Sequence, residues 1–228
     1  MAKRYPKRYG KALEMQPADK LTVAEAVKTI KAYPAPKFDQ SVELCMHLGI
    51  DPRQADQALR GSLSLPHGIG KTKKVIAFCD EGSAAEAALA AGATEAGLEE
   101  LVDKVAKGWM DFDVAIAHPA AMRVVSKLGR ALGPSGKMPS PKAGTVSPDV
   151  ATAVKEFAAG KLEYRNDDFG NLHVVVGKCS FDEQQLIENI EFFVKFVKKS
   201  KPATTKGHYI KKISLSASMT PSAEIAEF

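Results

Sequence analysis

Long apolar runs are missing from this chain. Runs such as Val75-Ile-Ala-Phe-Cys79, Phe192-Phe193-Val194 and Val174-Val175-Val176 fall far short of the roughly 18 residues that cross a bilayer, so no membrane partner is expected. The basic start, Met1 to Gly10, is followed by no apolar stretch, which argues against a secretory signal and for a soluble, cytoplasmic protein. Cysteine is scarce as well. Cys45, Cys79 and Cys179 are odd in number, far apart and never in Cys-x-x-Cys spacing, which argues against a disulfide framework and a zinc site. His47, His67, His118, His173 and His208 form no close pair at metal-ligand spacing, so neither metal nor cofactor is expected. No nucleophile, base and orienting group share a motif. Glu99-Glu100 and Asp167-Asp168 are neighbours in sequence, and neighbours on a helix or strand point in different directions.

Phosphate loops are imitated rather than present. His67-Gly-Ile-Gly-Lys-Thr72 ends like the phosphate-binding motif Gly-x-x-x-x-Gly-Lys-Ser/Thr, but the first glycine of that pattern falls on Leu65. The lysine is followed by strand-like Val75-Ile-Ala-Phe78, whereas the motif needs a helix whose N-terminal amides complete the site. Gly133-Pro-Ser-Gly-Lys-Met138 fails too, with Ala131 for the first glycine and Met138 for the hydroxyl residue.

The local grammar changes twice along the chain. Thr22-Val-Ala-Glu25 is a capping box that opens a helix over 22–32, and Val42, Leu44, Met46 and Leu48 alternate with polar neighbours as a half-buried strand. Residues 51–58 read as a short helix and 62–65 as a strand. From Lys71 the pattern becomes strand 75–79, helix 83–91, a small-residue segment 93–97, helix 98–107, strand 113–117 and helix 120–132. Strands alternating with helices imply a parallel sheet covered on both faces. A Gly/Pro-rich loop leads to a helix from Ser147-Pro148 to Gly160. The half-buried style then returns with a strand at 172–176, a second capping box at Ser180-Phe-Asp-Glu183, a helix bearing Leu186, Ile190, Phe193 and Val197, and a one-sided strand over 213–219.

The expectation is an α/β protein of two domains. Residues 1–67 and 160–228 form a split α+β domain with an antiparallel sheet, and residues 68–159 an inserted, Rossmann-like parallel α/β domain. His67, Gly68, Gly70, Ala159 and Gly160 stand at the two crossings, where glycine's permissive backbone suits a hinge. Charge follows the same division. Residues 68–159 balance eleven Lys/Arg against eleven Asp/Glu, so the terminal segments carry the whole net +5. Lys3, Arg4, Lys7, Arg8 and Lys11 cluster at the start and Lys195 to Lys212 near the end, a distribution suited to an anionic partner. The exposed row Lys212-x-Ser214-x-Ser216-x-Ser218 offers donors to phosphate and 2′-OH groups, and Phe38 beside Lys37 could stack a base.

Three stretches, residues 38–71, "GPSGKMPSPKAGTV" (133–146) and "FAAGKLEYRNDDFGNLHVVVGKCSF" (157–181), resemble the large-subunit ribosomal protein L-one family along nearly the whole chain. The resemblance implies the same two-domain plan, with no enzymatic activity. It also implies binding of large-subunit ribosomal RNA in the mobile stalk beside the exit site, contact with exit-site tRNA during its release, and repression through the protein's own operon mRNA. The family's RNA contacts carry over to Lys37, Phe38 and Ser41, to Ser218 and Met219, and to the Arg165-Asn166-Asp167 turn nearby. Lys212 and Thr220 complete the candidate surface. Thr220 stands where relatives have glycine, adding a β-branched side chain, and Asp168 puts a carboxylate where they often have lysine.

Overall fold

The computed structural model describes residues 5–226 apart from Ala55 and Glu81; Lys3 and Arg4 of the first basic cluster lie outside the described residues. In chain order the elements are α1 (Lys7–Glu14), α2 (Val23–Ala32), β1 (Ser41–Leu48), β2 (Arg60–Leu63), β3 (Val75–Phe78), α3 (Ser83–Ala90), β4 (Glu95–Gly97) and α4 (Glu99–Ala106). They continue with β5 (Val114–Ala117), α5 (Met122–Val125), α6 (Gly129–Leu132), α7 (Val150–Ala158), β6 (Leu162–Arg165), β7 (Asn171–Lys178), α8 (Glu183–Lys199), β8 (Ile210–Ala217) and β9 (Ala223–Ile225). Packing separates the chain into two compact units. One holds Met1–Leu59, Leu65–Gly70 and Tyr164–Phe228, the other Arg60–Ser64 and Lys71–Glu163.

The first unit is built on an antiparallel sheet in the order β7-β1-β8-β9. The period-2 pattern places Val42, Leu44, Met46 and Leu48 of β1 on one face, level with Val174 and Leu172 of β7 and with Ala217, Leu215 and Ile213 of β8. Helices α2 and α8 pack on that face, bringing Val23, Ala26, Val27 and Ile30 from one and Leu186, Ile190, Phe193, Val194 and Val197 from the other. The opposite face carries Glu43, Cys45, His47, Ser214 and Ser216. The capping box of α2 forms as its sequence predicts: the Glu25 N–H donates to Thr22 Oγ1 at 3.3 Å and the Thr22 N–H to Glu25 Oε2 at 2.9 Å. The box of α8 is displaced by two residues. Asp182 is its N-cap, with the Asp182 N–H donating to Gln185 Oε1 at 3.2 Å, because Ser180 is taken by Asp39, to which its hydroxyl donates at 2.8 Å.

Asn189 sits inside this helical layer, fully buried. Its Oδ1 accepts from the His67 N–H at 3.2 Å, and its Nδ2 donates to the Gly68 carbonyl at 3.1 Å and the Val176 carbonyl at 2.9 Å. Val176 is the residue that the register between β1 and β7 skips, so Asn189 partners a carbonyl at a bulge, where the ladder is disrupted. His67 Nε2 also lies 2.6 Å from Glu188 Oε2.

Segment 65–70 is therefore held down on α8 by side chains. Gly68 has φ 63° and its N–H donates to the Leu65 carbonyl at 3.1 Å. Proline at 68 would fix φ near −65° and delete that donor, so Gly68→Pro is expected to break the turn rather than stiffen it. The expected loss exceeds about 1 kcal/mol, read from the urea midpoint. At Gly70, φ 69°, a Cβ would lie 2.7 Å from Phe181 Cε1.

In the second unit, β3 is the middle of a parallel sheet in the order β4-β3-β5. Ile76 and Phe78 pack with Leu101, Val102 and Val105 of α4 and with Val125, Leu128 and Leu132 on one face. Val75, Ala77 and Ile116 pack with Ala88 of α3 and Val150, Val154 and Phe157 of α7 on the other. Both faces are covered, as four consecutive buried residues in β3 require. The helix expected over 120–132 is broken into α5, a 3-10 turn at Ser126–Leu128 and α6; the Ser126 hydroxyl donates to the Arg123 carbonyl at 3.0 Å, competing with the helical ladder. The helix expected over 51–58 is replaced by turns. Asp51 captures the Arg53 N–H at 3.1 Å in an Asx turn, and Gln57 Oε1 accepts from the Asp51 N–H at 2.9 Å. β2 and β6 pair with one another in a separate two-stranded sheet. Ala159 is the C-cap of α7, and Gly160 follows it at φ 101°.

Candidate nucleic-acid interface

One end of the antiparallel sheet gathers most of the candidate residues. The Ser41 N–H donates to Ser218 Oγ at 3.2 Å, and the Ser218 N–H donates to the Ser41 carbonyl at 3.1 Å. The Met219 N–H donates to Oε1 of the buried Gln40 at 3.0 Å, and the Gln40 carbonyl accepts from the Cys179 N–H at 2.9 Å. Residues 38–41 and 218–220, distant in sequence, are thus locked into one surface. Phe38 and Met219 leave it 54% and 49% exposed, an arrangement that interior packing does not explain.

Cations ring this end. Lys37 is exposed. Lys178 Nζ donates to Ser41 Oγ at 2.8 Å, Lys31 Nζ to the Phe181 carbonyl, and Arg8 Nη1 to the Pro34 carbonyl at 3.2 Å. The nearby carboxylate, Asp39, is occupied by the N–H and hydroxyl of Ser180. Hydroxyls, amides and cations with two exposed apolar side chains can hold a phosphate backbone and pack against bases.

Thr220, which the resemblance sets against a glycine in relatives, fits without strain. Its hydroxyl accepts from the Ala217 N–H at 2.9 Å and its own N–H donates to the Ala217 carbonyl at 3.1 Å. Among the described residues only glycines have positive φ, so the added side chain closes the turn after β8.

Arg165, Asp167 and Lys212 are not in this cluster. Lys212 pairs with His47 in the sheet register and Asn171 with His47 on the other side, six residues along β1 from Ser41, or roughly 20 Å at about 3.3 Å per residue. The Arg165-Asn166-Asp167 turn is therefore at the far end rather than nearby. Asp167 is spent inside its own turn, accepting from the Phe169 N–H at 2.9 Å and the Asn171 N–H at 2.7 Å. Partial burial pushes the Asp167 carboxyl up, but the donors from Asn171 and Phe169 outweigh it and leave its pKa below the ordinary value. Lys212 Nζ lies 2.6 Å from Glu224 Oε2 and holds that carboxyl below its usual range. Sequence reasoning missed Phe169, 81% exposed in this turn, for which the sequence gives no signal beyond an aromatic next to glycine. Where the sequence shows a cluster of basic residues, Lys7–Glu14 forms a helix, α1.

The second unit offers less. Lys71 Nζ is 3.4 Å from Asp113, and Lys137 Nζ donates to the Met110 and Phe112 carbonyls at 3.1 and 2.5 Å, so both motif lysines bond within the fold. A crevice of about 200 Å³ between Ala84, Ala87, His118 and Pro148–Ala151 stands beyond the carboxyl ends of β3 and β5. Its helix terminus is capped by Asp149, which accepts from the Thr152 N–H at 3.1 Å, and this carboxylate opposes an anion.

The chain is 56% identical to the large ribosomal subunit protein uL1 of Rhodopirellula baltica over 96% of its length and 97% of the relative's. The proteins of the same name from Kosmotoga olearia and Thermobifida fusca are 48% and 50% identical, over 96% and 94% of this chain and 95% and 92% of theirs. These are ribosomal proteins, structural rather than enzymatic. Residues 27–221 match the ribosomal protein L1p/L10e family, and the chain belongs to that family, a constituent of the large ribosomal subunit.

Proposed function

We propose that this protein binds large-subunit ribosomal RNA through the sheet end formed by Lys37, Phe38, Ser41, Ser218, Met219 and Thr220. The supporting observation is the interlocking of Ser41 with Ser218, which holds the exposed Phe38 and Met219 together in a ring of cations. The protein works on the cytoplasmic ribosome, in the mobile stalk beside the exit site, where it assists release of deacylated tRNA. The same surface, meeting a similar fold in the protein's own operon mRNA, represses its translation. Residues 1–67 and 160–228 act as the RNA-binding domain. Residues 68–159 act as an inserted domain that swings about Gly70, Ala159 and Gly160, with His67 and Gly68 forming the anchored side of the first crossing.

The test is a filter-binding titration against salt with a large-subunit rRNA transcript. Phosphate contacts release counterions, so log affinity should fall linearly with log salt by roughly 0.7–0.9 per phosphate contacted. A flat titration, or equal affinity for a random duplex, overturns the reading.

A further inference from the structure

We infer that α1 is a second RNA-contacting element, gripping backbone phosphates of the same RNA through Lys7 and Lys11, with Arg8 as the positioning residue that fixes the helix beside the sheet end. This rests on the function proposed above. It concerns a part of the chain that precedes the segment matched by the family, residues 27–221.

The helix is tied to the site itself. Arg8 Nη1 lies within bonding distance of two carbonyls, that of Pro34 at 3.2 Å and that of Met219 at 3.4 Å, so it bridges the segments that enter β1 and leave β8. Farther along, Gln16 Nε2 donates to the Ser222 carbonyl at 2.8 Å, and Ala12 is buried. These contacts hold one side of α1 against the fold.

The other side carries two cations, with a single carboxylate, Glu14, at its C-terminal end three residues beyond Lys11. Lys7 and Lys11 are exposed, four residues apart and hence on one face. Among the described residues neither is in an ion pair. Like charges at this spacing repel and weaken an isolated helix, a penalty that an anion lying along the face removes. At the N-terminal end Tyr5, half exposed, lies 5.2 Å from Tyr9 between ring centroids. Two residues turn a helix by about 200°, so this aromatic pair faces away from Lys7 and Lys11, and the contact with RNA rests on the two cations. Charge complementarity and continuity with the Met219 surface both favour RNA over an acidic protein.

The experiment uses the full chain and the large-subunit rRNA transcript, titrated over a range of KCl. Lys7→Gln with Lys11→Gln should reduce the steepness of the log–log salt dependence by about 1.4–1.8, two phosphates' worth, and weaken binding roughly 25- to 60-fold at 0.1 M salt if the curves converge near 1 M. Lys7→Arg with Lys11→Arg should restore both. Arg8→Lys should weaken binding with the slope unchanged, since it keeps the charge and loses the rigid guanidinium whose Nη1 reaches both carbonyls. Circular-dichroism melts accompany each variant, and Lys7→Gln alone, expected to remove half the slope change, serves if the double variant melts early. A folded double variant with unchanged slope and affinity, while Phe38→Ala still weakens binding, overturns the role of α1 alone. A wild-type chain whose binding ignores salt overturns this role together with the function it rests on.

Discussion

Phe38→Ala and Met219→Ala should each weaken binding of the rRNA transcript by on the order of 1–3 kcal/mol, about 5- to 150-fold, while leaving the melting temperature unchanged. Both halves of the expectation come from exposure. Truncating a side chain in a core removes buried area and leaves a cavity, which is what costs stability. Phe38 and Met219 are 54% and 49% exposed, so the folded state has little to lose. In a complex the same atoms would be covered by bases, and their removal is felt there. Fluorescence anisotropy for affinity and a thermal melt for stability separate the two roles. A lowered melting temperature with unchanged affinity would show that these residues stabilise the fold and leave RNA untouched.

Asn189→Ala should do the reverse, destabilising the chain by about 3 kcal/mol in urea denaturation. The amide is fully buried and serves three backbone groups, the His67 N–H and the carbonyls of Gly68 and Val176. Deleting it leaves buried polar groups unpaired at about 1–3 kcal/mol each before relaxation or water entry. Asn189→Asp tests the same point at nearly constant volume, because a carboxylate cannot donate to either carbonyl and brings a buried charge. A midpoint within 0.5 kcal/mol of wild type, as an estimate of the ordinary surface-substitution range, would show that segment 65–70 is not anchored through Asn189.

The two residues also mark what the sequence makes legible. Alternation along 42–48 fixed which face of β1 is buried, because period 2 leaves a strand only two choices. The capping box at Thr22 was readable because its groups are three residues apart. The displaced box of α8 was not, since the competitor for Ser180 is Asp39, 141 residues away. Short elements such as β6 and β9 have too few residues for a period to show. The candidate surface was half legible: Phe38 and Ser41 could be placed with Ser218 and Met219 through the resemblance, but the separation of Lys212 and Asp167 from them depends on strand register. Asn189 carries no local signal, being a polar residue in an apolar stripe whose partners lie 13 and about 120 residues away.

The bonds between Ser41 and Ser218 join residues 177 positions apart, and Leu21 is likewise bridged to Ile225. During synthesis at roughly 5–20 residues per second, the first strand must wait about 9 to 35 seconds for its partner. Residues 71–163 have all been made well before then, whereas the sheet is incomplete until its last two strands emerge. A prematurely terminated chain would therefore lack half of the surface that Phe38 and Met219 share. Under the proposed function, completion of the polypeptide would be a condition for RNA recognition, and truncated copies would be excluded from assembly by their own topology.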